Sequence, residues 1–262
     1  TQLGFGISGL GVLGLLIGQL IGDTAGSGTL LSDAIKLNKQ EFKKGSFSGL
    51  RTAGRKYWRF PIYATPSKLL SVATTQIPLL CILAFYGTKN AGWYSLVNLV
   101  LGAPISLVTI SVQNVFWGEA SRLIIDDPIK LRQLFYKTTR VLFLISMAFA
   151  FVVFFSPWLF PIIFGQSWIQ AGQYARNIEV MFATQIIVMP LSILAVHQLQ
   201  HWEAGWNILC FVITAVCFGI GNKLNIALPD LLMIYALLMG FCNILLYGLN
   251  AYAIKQKANR YY

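Results

Sequence analysis

The sequence predicts an all-α integral membrane protein, a polytopic helix bundle of about seven transmembrane helices. Three observations predict it. Of 262 residues, 56% are hydrophobic and only 11% are charged, against roughly 25% charged in an ordinary soluble domain. Mean hydropathy is +0.64. The apolar residues also gather into stretches long enough to cross a bilayer, for which about 20 residues are needed. A soluble fold could not cover its core with so few charges, and the excess apolar surface needs lipid.

Seven such stretches lie near 3–31, 61–86, 92–117, 141–164, 176–199, 206–222 and 229–252. The sixth is the shortest. Between the first and second runs the longest polar segment, the 29 residues SDAIKLNKQEFKKGSFSGLRTAGRKYWRF. This organisation gives a trailing helix at 1–31, a basic connector at 32–60, six helices across 61–254 and a tail at 255–262.

The net charge of +11 is not that of a nucleic-acid binder, which carries basic residues with interleaved aromatics on a solvated face. Here Lys and Arg fall in short runs between apolar stretches, and that placement orients a membrane protein. Segment 32–60 holds eight of them, 118–140 five and the tail three. If the helices alternate, all three segments share one side, which collects 16 of the 20 basic residues. The opposite side has Lys89, Lys223 and Arg176. The C-terminus is therefore expected in the cytoplasm and Thr1 outside. The chain opens without Met or a charged leader, so it reads as the later part of a longer protein, with an odd number of helices expected before Thr1.

Inside the stretches, Gly14, Gly18, Gly22 and Gly26 recur every fourth residue of the first and make a smooth ridge for close helix packing. Pro61, Pro66 and Pro78 interrupt the second, Pro104 the third and Pro190 the fifth. Intramembrane proline is tolerated where other helices, Ser, Thr or a wet cavity satisfy the freed carbonyls. Repeated bends suit a transporter that encloses a cavity.

Signals of enzyme chemistry are nearly absent, and no catalytic residue, cofactor or metal is expected. His197 and His201 are spaced i and i+4 next to Glu203, but at a membrane interface with no third ligand. Asp126 and Asp127 precede Pro128, a turn signal. Cys81, Cys210, Cys217 and Cys242 lie singly in apolar stretches, as small fillers of helix interfaces. No glycine-rich phosphate loop is present.

Polar groups within the stretches say more, since each is costly unless it faces protein or water. Lys68 lies about two turns into the second stretch, either snorkelling to the interface or lining a cytoplasm-facing cavity. Gln76, Asn98, Gln113 and Gln185 sit in helices, and Arg176 stands one turn from Glu179, with which it can pair. Asp23, an acid inside the first apolar stretch, is the candidate for proton or ion coupling. A cavity of cationic and amide groups with few carboxylates suits an anionic, hydroxyl-rich substrate.

From Tyr57 to about Glu203 the order of motifs is distinctive. An aromatic-Arg-Phe-Pro-x-Tyr entry runs from Tyr57 to Pro66 within YWRFPIYATPSKLLSVATTQIPLL. A Gly-x-Tyr-Ser start follows at Gly92–Ser95, then a Gly-x-Pro segment at Gly102–Ser106. Last comes Phe-Gly-x-x-Trp-x-x-Ala-Gly-x-Tyr-Ala at Phe164–Ala175. This succession resembles the second half of the Wzx-type flippases, polysaccharide-biosynthesis proteins of the superfamily that holds the MATE exporters and lipid II flippases. The resemblance implies two six-helix lobes around a central cavity that opens alternately to each side. The stretch at 3–31 would close the first lobe, and the six that follow would form the second. It also implies a bacterial inner-membrane protein that moves undecaprenyl-diphosphate-linked oligosaccharide from the cytoplasmic to the periplasmic leaflet; the alternatives are an ion-coupled small-molecule exporter of the MATE kind and a non-transporting membrane enzyme of the same pathway. Its partners would be that substrate, membrane lipids and other polysaccharide-assembly proteins. Lys68 would then offset diphosphate charge and Gln76 and Asn98 would bond sugar hydroxyls, although Lys68 departs from the small or uncharged residue expected there.

Overall fold

The structure, a computed structural model, describes residues 59–193 and 200–259, with side chains from Leu69 onward except at Ile125, Gln200 and 257–259. Regular structure among these residues is entirely helical. In chain order the helices are α1 (Arg59–Tyr86), α2 (Thr88–Asp126), α3 (Pro128–Phe154), α4 (Ser156–Phe164), α5 (Ile169–Asn177), α6 (Glu179–Val188), α7 (Gln200–Lys223) and α8 (Leu228–Asn259). Single 3-10 turns lie at Gln166–Trp168 and Met189–Leu191. The predicted first stretch, its glycine ridge and the basic connector up to residue 58 fall outside the described residues.

Among the described residues, five helices are long and apolar enough to cross a membrane: Leu69–Tyr86, Thr88–Ile124, Pro128–Phe154, His201–Lys223 and Leu228–Gln256. Large apolar side chains point outward along them, Val115 at 75% and Phe151 at 69% exposure. No water-facing surface tolerates such coverage, whereas hydrocarbon does. The chain is a multi-pass, all-α membrane protein.

Two predicted stretches take different bounds. The fourth, 141–164, is broken at Phe155, where α3 ends and the short α4 begins. Pro157 has no N–H with which to continue the α3 ladder onto Val153, so the chain turns there. The fifth, 176–199, begins earlier and stops sooner. α5 and α6 form one bent rod through Ile178, whose N–H donates to Tyr174 O at 3.1 Å while its own carbonyl accepts from Phe182 at 3.4 Å. The rod tightens into the 3-10 turn at Met189–Leu191, because Pro190 cannot donate to Ile186. Ser192 is already extended, at φ −72° and ψ 107°, and 194–199 lie outside the described residues.

α6 is the hub. It packs against α8, α3 and α2 and continues from α5, with Phe182, Ile186 and Val188 buried in the contact. Phe135 of α3 stacks on Tyr247 of α8 at 5.2 Å between ring centres. α7 and α8 form an antiparallel pair. Their turn carries Asn225 at φ 51° and closes with Ile226 N–H to Gly221 O and Asn225 N–H to Asn222 O, the double bond that terminates a helix through a left-handed residue.

α4 and α5 make a tight hairpin. Gly165 ends α4 at φ 98°, a conformation that a side chain rarely adopts. Opposite it, Gly172 lets the two backbones meet, since a Cβ there would fall 2.5 Å from Ser156 O and 2.8 Å from Pro157 Cα. The Ser156 hydroxyl donates to Gly172 O at 2.8 Å across this contact. Gly172→Ala should therefore force the hairpin apart and cost about 1–3 kcal/mol, read as a lowered melting temperature of the purified protein. Gly118→Ala, where a Cβ meets nothing within 4 Å inside α2, is the matched control and should leave the transition unmoved or raise it slightly.

The turn between α2 and α3 bears out the reading of Asp126 and Asp127 as a turn before Pro128. Asp127 caps α3, its carboxylate accepting from Lys130 N at 3.0 Å and pairing with Lys130 Nζ at 3.1 Å, with Pro128 at the first helical position. The Lys130 backbone N–H, with the Lys130 side chain beside it, holds the Asp127 carboxyl below its ordinary range. A pKa lower in the folded than in the unfolded state adds stability above the unfolded value, and that stability fades as pH falls through the folded value. Asp127→Ala should thus lower thermal stability at neutral pH. The gap from wild type should close below about pH 4, near the ordinary aspartate pKa.

Candidate functional site

The residues singled out in the sequence lie on four helices. Lys68 is on α1, its side chain outside the described set, as is Asp23 altogether. Gln76 is exposed on α1, Asn98 and Gln113 are half-buried on α2, and Gln185 is half-buried on α6. Asn98 Nδ2 donates back to Tyr94 O at 3.0 Å. Arg176 on α5 is exposed, its guanidinium carbon 4.5 Å from the centre of the Phe154 ring. The ion pairs within 4 Å among the described residues are Arg122–Glu119 and Lys130–Asp127; Arg176 stacks on Phe154 and acts on the Glu179 carboxyl through its charge from beyond that distance. No hydrogen bond joins any two of these candidates among the described residues.

A different set of polar side chains does converge. α8 carries Asn243, Tyr247 and Asn250, spaced i, i+4 and i+7 and hence on one face. Asn243 is fully buried and its Nδ2 donates to Thr184 Oγ1 of α6 at 2.9 Å. Its Oδ1 is buried without a partner. One turn on, Tyr247 OH and Thr139 Oγ1 of α3 lie 3.3 Å apart. Thr139, Thr184 and Tyr247, with Ile187, Val188 and Ile244, line a cavity of about 210 Å³.

At the end of this stripe Asn250 holds the broken rod. Its Oδ1 accepts from Ile193 N at 2.9 Å, and its Nδ2 donates to Leu246 O at 2.8 Å. From the other side Trp117 Nε1 of α2 donates to Ser192 O at 2.8 Å. These two side chains satisfy backbone groups that the interruption at Pro190 leaves outside any helix. Higher up, Ser146 Oγ of α3 donates to Ala183 O of α6 at 2.8 Å. α6 is thus held by polar groups from α2, α3 and α8.

The sequence reading did not single out this stripe, because isolated asparagines and tyrosines in an apolar run carry no signal of which helix they meet. The readable signal was the helical spacing of three hydrogen-bonding residues in one of the most apolar helices. His201, read with His197 as an interfacial pair, is exposed on α7 and sets its ring edge-on to Trp202; His197 lies outside the described residues. No group of three metal-ligating side chains forms among the described residues. All four cysteines are free.

Residues 3–173 match the model of a family described as polysaccharide biosynthesis protein. The chain belongs to this polysaccharide biosynthesis family. No curated protein and no solved structure matches it. The family match runs through α1 to α4 and ends inside α5, so it takes in Trp117, Thr139, Gly165 and Gly172 but stops before Tyr174. The stripe on α8 lies beyond the matched stretch, although it packs against a matched helix, α3.

Replacing Asn250 by Leu removes the acceptor of the Ile193 N–H and should cost about 1–3 kcal/mol, the penalty for a buried donor left unmade. Trp117→Phe removes the indole N–H together with part of the double ring packed on the core and should cost about 1–3 kcal/mol. Both act on one segment of five residues, so the double variant should depart from the sum of the singles. Thermal unfolding of the four proteins in detergent measures that coupling.

Proposed function

We propose that this chain is part of a flippase of the Wzx type. It moves an undecaprenyl-diphosphate-linked oligosaccharide from the cytoplasmic to the outer leaflet of a bacterial inner membrane, by alternating access. The observation that carries this reading is the interrupted rod α5–α6, whose non-helical end is held by side chains from two other helices inside a membrane protein of the polysaccharide biosynthesis family. Irregular backbone at membrane depth persists where protein or a wet cavity satisfies it, which is the usual setting of a transport path. A purely architectural bundle has no need of such a break.

In this reading the six helices from 61 to 254 form one lobe, and the basic segment 32–60 with the tail faces the cytoplasm. The substrate sets two physical tasks. The diphosphate needs cations and donors along its way, and the prenyl chain must stay in hydrocarbon. Lys68, Gln76, Asn98, Gln113, Arg176 and Gln185 are the proposed polar lining, and Asp23 the proposed coupling acid. The chain acts as a carrier without covalent chemistry, and its partners are the lipid-linked substrate, membrane lipids and other assembly proteins.

Complementation tests the proposal. The gene carrying this sequence, expressed in a strain that lacks its repeat-unit flippase, should restore surface polysaccharide of normal length. Asn243→Leu should reach the membrane at normal level, because it deletes a buried unpaired oxygen together with the amide, yet lower polysaccharide severalfold. Normal polysaccharide with Lys68→Ala would remove Lys68 from the lining. Failure of the wild-type protein, at normal membrane abundance and across strains with different repeat units, would overturn the flippase reading.

A further inference from the structure

Where α1 passes into α2 and α7 turns into α8, the bundle end holds a pocket of about 530 Å³. This is the size range of small-ligand sites. Its wall is built by Tyr86, Trp93 and Tyr174 with the amides Asn90, Gln170, Asn222 and Asn225, and every residue lining it is uncharged.

The aromatic side is fixed in place. Tyr86 OH donates to Ile226 O at 2.9 Å, tying α1 to the α7–α8 turn. Tyr174 OH donates to Asn90 Oδ1 at 2.7 Å, and Asn90 Nδ2 donates to Tyr86 O at 2.7 Å. Trp93 Nε1 donates to Ser167 O at 2.9 Å, and its ring stands edge-on to Tyr174 at 6.1 Å. Lys89 Nζ lies 5.1 Å from the centre of that indole. The opposite side is different in kind. The side-chain amides of Gln170, Asn222 and Asn225 make no hydrogen bond among the described residues, so each offers two donors and an acceptor.

A rigid aromatic wall facing a set of free amides selects by chemistry. A phosphate or carboxylate needs a cation or a cluster of backbone donors; the lining has no charged side chain, and Lys89, held against the indole of Trp93, is not part of it. A metal ion needs carboxylate, imidazole or thiolate ligands, which are absent from the lining. An apolar ligand would leave the amides unpaired. What fits is a neutral, hydroxyl-rich ring with one apolar face to lie on the indole and hydroxyls to pair with the amides. We propose that this pocket binds neutral sugar units of a glycan. The proposal goes beyond the transport reading: it concerns equilibrium binding at the bundle end, and it stands or falls whether or not the chain flips a lipid.

Saturation-transfer NMR on the full chain tests it, in a detergent without a sugar headgroup so that the micelle does not compete. The probes are maltohexaose, cellohexaose and chitohexaose, with inorganic phosphate as the charged control. At least one hexaose should bind saturably, with enhancements on ring protons, and inorganic phosphate, which has no observable proton of its own, should not displace it. Trp93→Ala should weaken binding about tenfold and Trp93→Phe should largely restore it. Gln170→Ala and Asn222→Ala, at side chains that hold nothing in the fold, should each weaken it about threefold. Trp158→Ala, an exposed indole on α4, should change nothing. Absence of saturable binding for all three glycans, or binding indifferent to both Trp93→Ala and the amide variants, overturns the proposal, as does displacement of glycan by phosphate.

Discussion

In hydrocarbon a backbone N–H or C=O has no water to turn to, and that constraint organises this molecule around one break. The rod α5–α6 ends at Pro190 with Ser192 extended, which leaves Ser192 O and Ile193 N outside any ladder. Two side chains take them up, Trp117 from α2 and Asn250 from α8. For both to reach the same short segment, α2 and α8 must flank α6 at fixed depth and rotation. Asn250 in turn fixes which face of α8 looks inward, and Asn243 and Tyr247 follow on that face toward α6 and α3. Apolar packing fills the contacts among these helices but does not choose the register, because lipid tails are as apolar as the core residues they would replace.

Much of the fold was legible because crossing hydrocarbon demands long apolar runs, and the sequence has them. The helices α1, α2, α7 and α8 fall on predicted stretches, and the turns at Gly87, Asp127 and 224–227 fall between them. What hydropathy does not record is where a ladder fails. The stretch FVVFFSPWLFPIIF is apolar but for Ser156, yet its chain turns at Phe155, because Pro157 lacks a donor rather than because the stretch turns polar. The same holds at Pro190. The site was less legible. Gln76 is polar and exposed, Asn98 spends its amide on its own helix, and a polar residue inside an apolar run says nothing by itself about which neighbour it meets. Spacing does, and Asn243, Tyr247 and Asn250 had it.

The motif at Phe164–Ala175 gains a physical meaning. Gly165 is required by its backbone angle, Gly172 by the approach of Ser156, and Ala171 and Ala175 are fully buried in the hairpin's contacts. Tyr174 crosses to Asn90. The motif that carries the resemblance thus encodes a helix hairpin and its docking onto α2. It identifies architecture, whereas function rests on groups that architecture leaves free.

Charge is distributed so that the two ends of the described bundle meet different chemistry. The turn at α2–α3 is rich in ionic groups, with Glu119, Arg122, Asp127 and Lys130 in salt bridges and Arg132 and Lys137 nearby. The opposite end, at α1–α2, α4–α5 and α7–α8, carries fewer charges, among them Lys89 and Lys223, and gathers Trp93, Tyr86, Tyr174 and four amides around a pocket lined by uncharged residues. An ionic end holds anions through long-range attraction that salt screens. A pocket lined by aromatics and amides holds ligands mainly through short-range contact, so it discriminates by shape and hydroxyl pattern. A molecule with a charged group at one end and neutral rings at the other would meet a matching surface at each end of this bundle, and neither surface could substitute for the other.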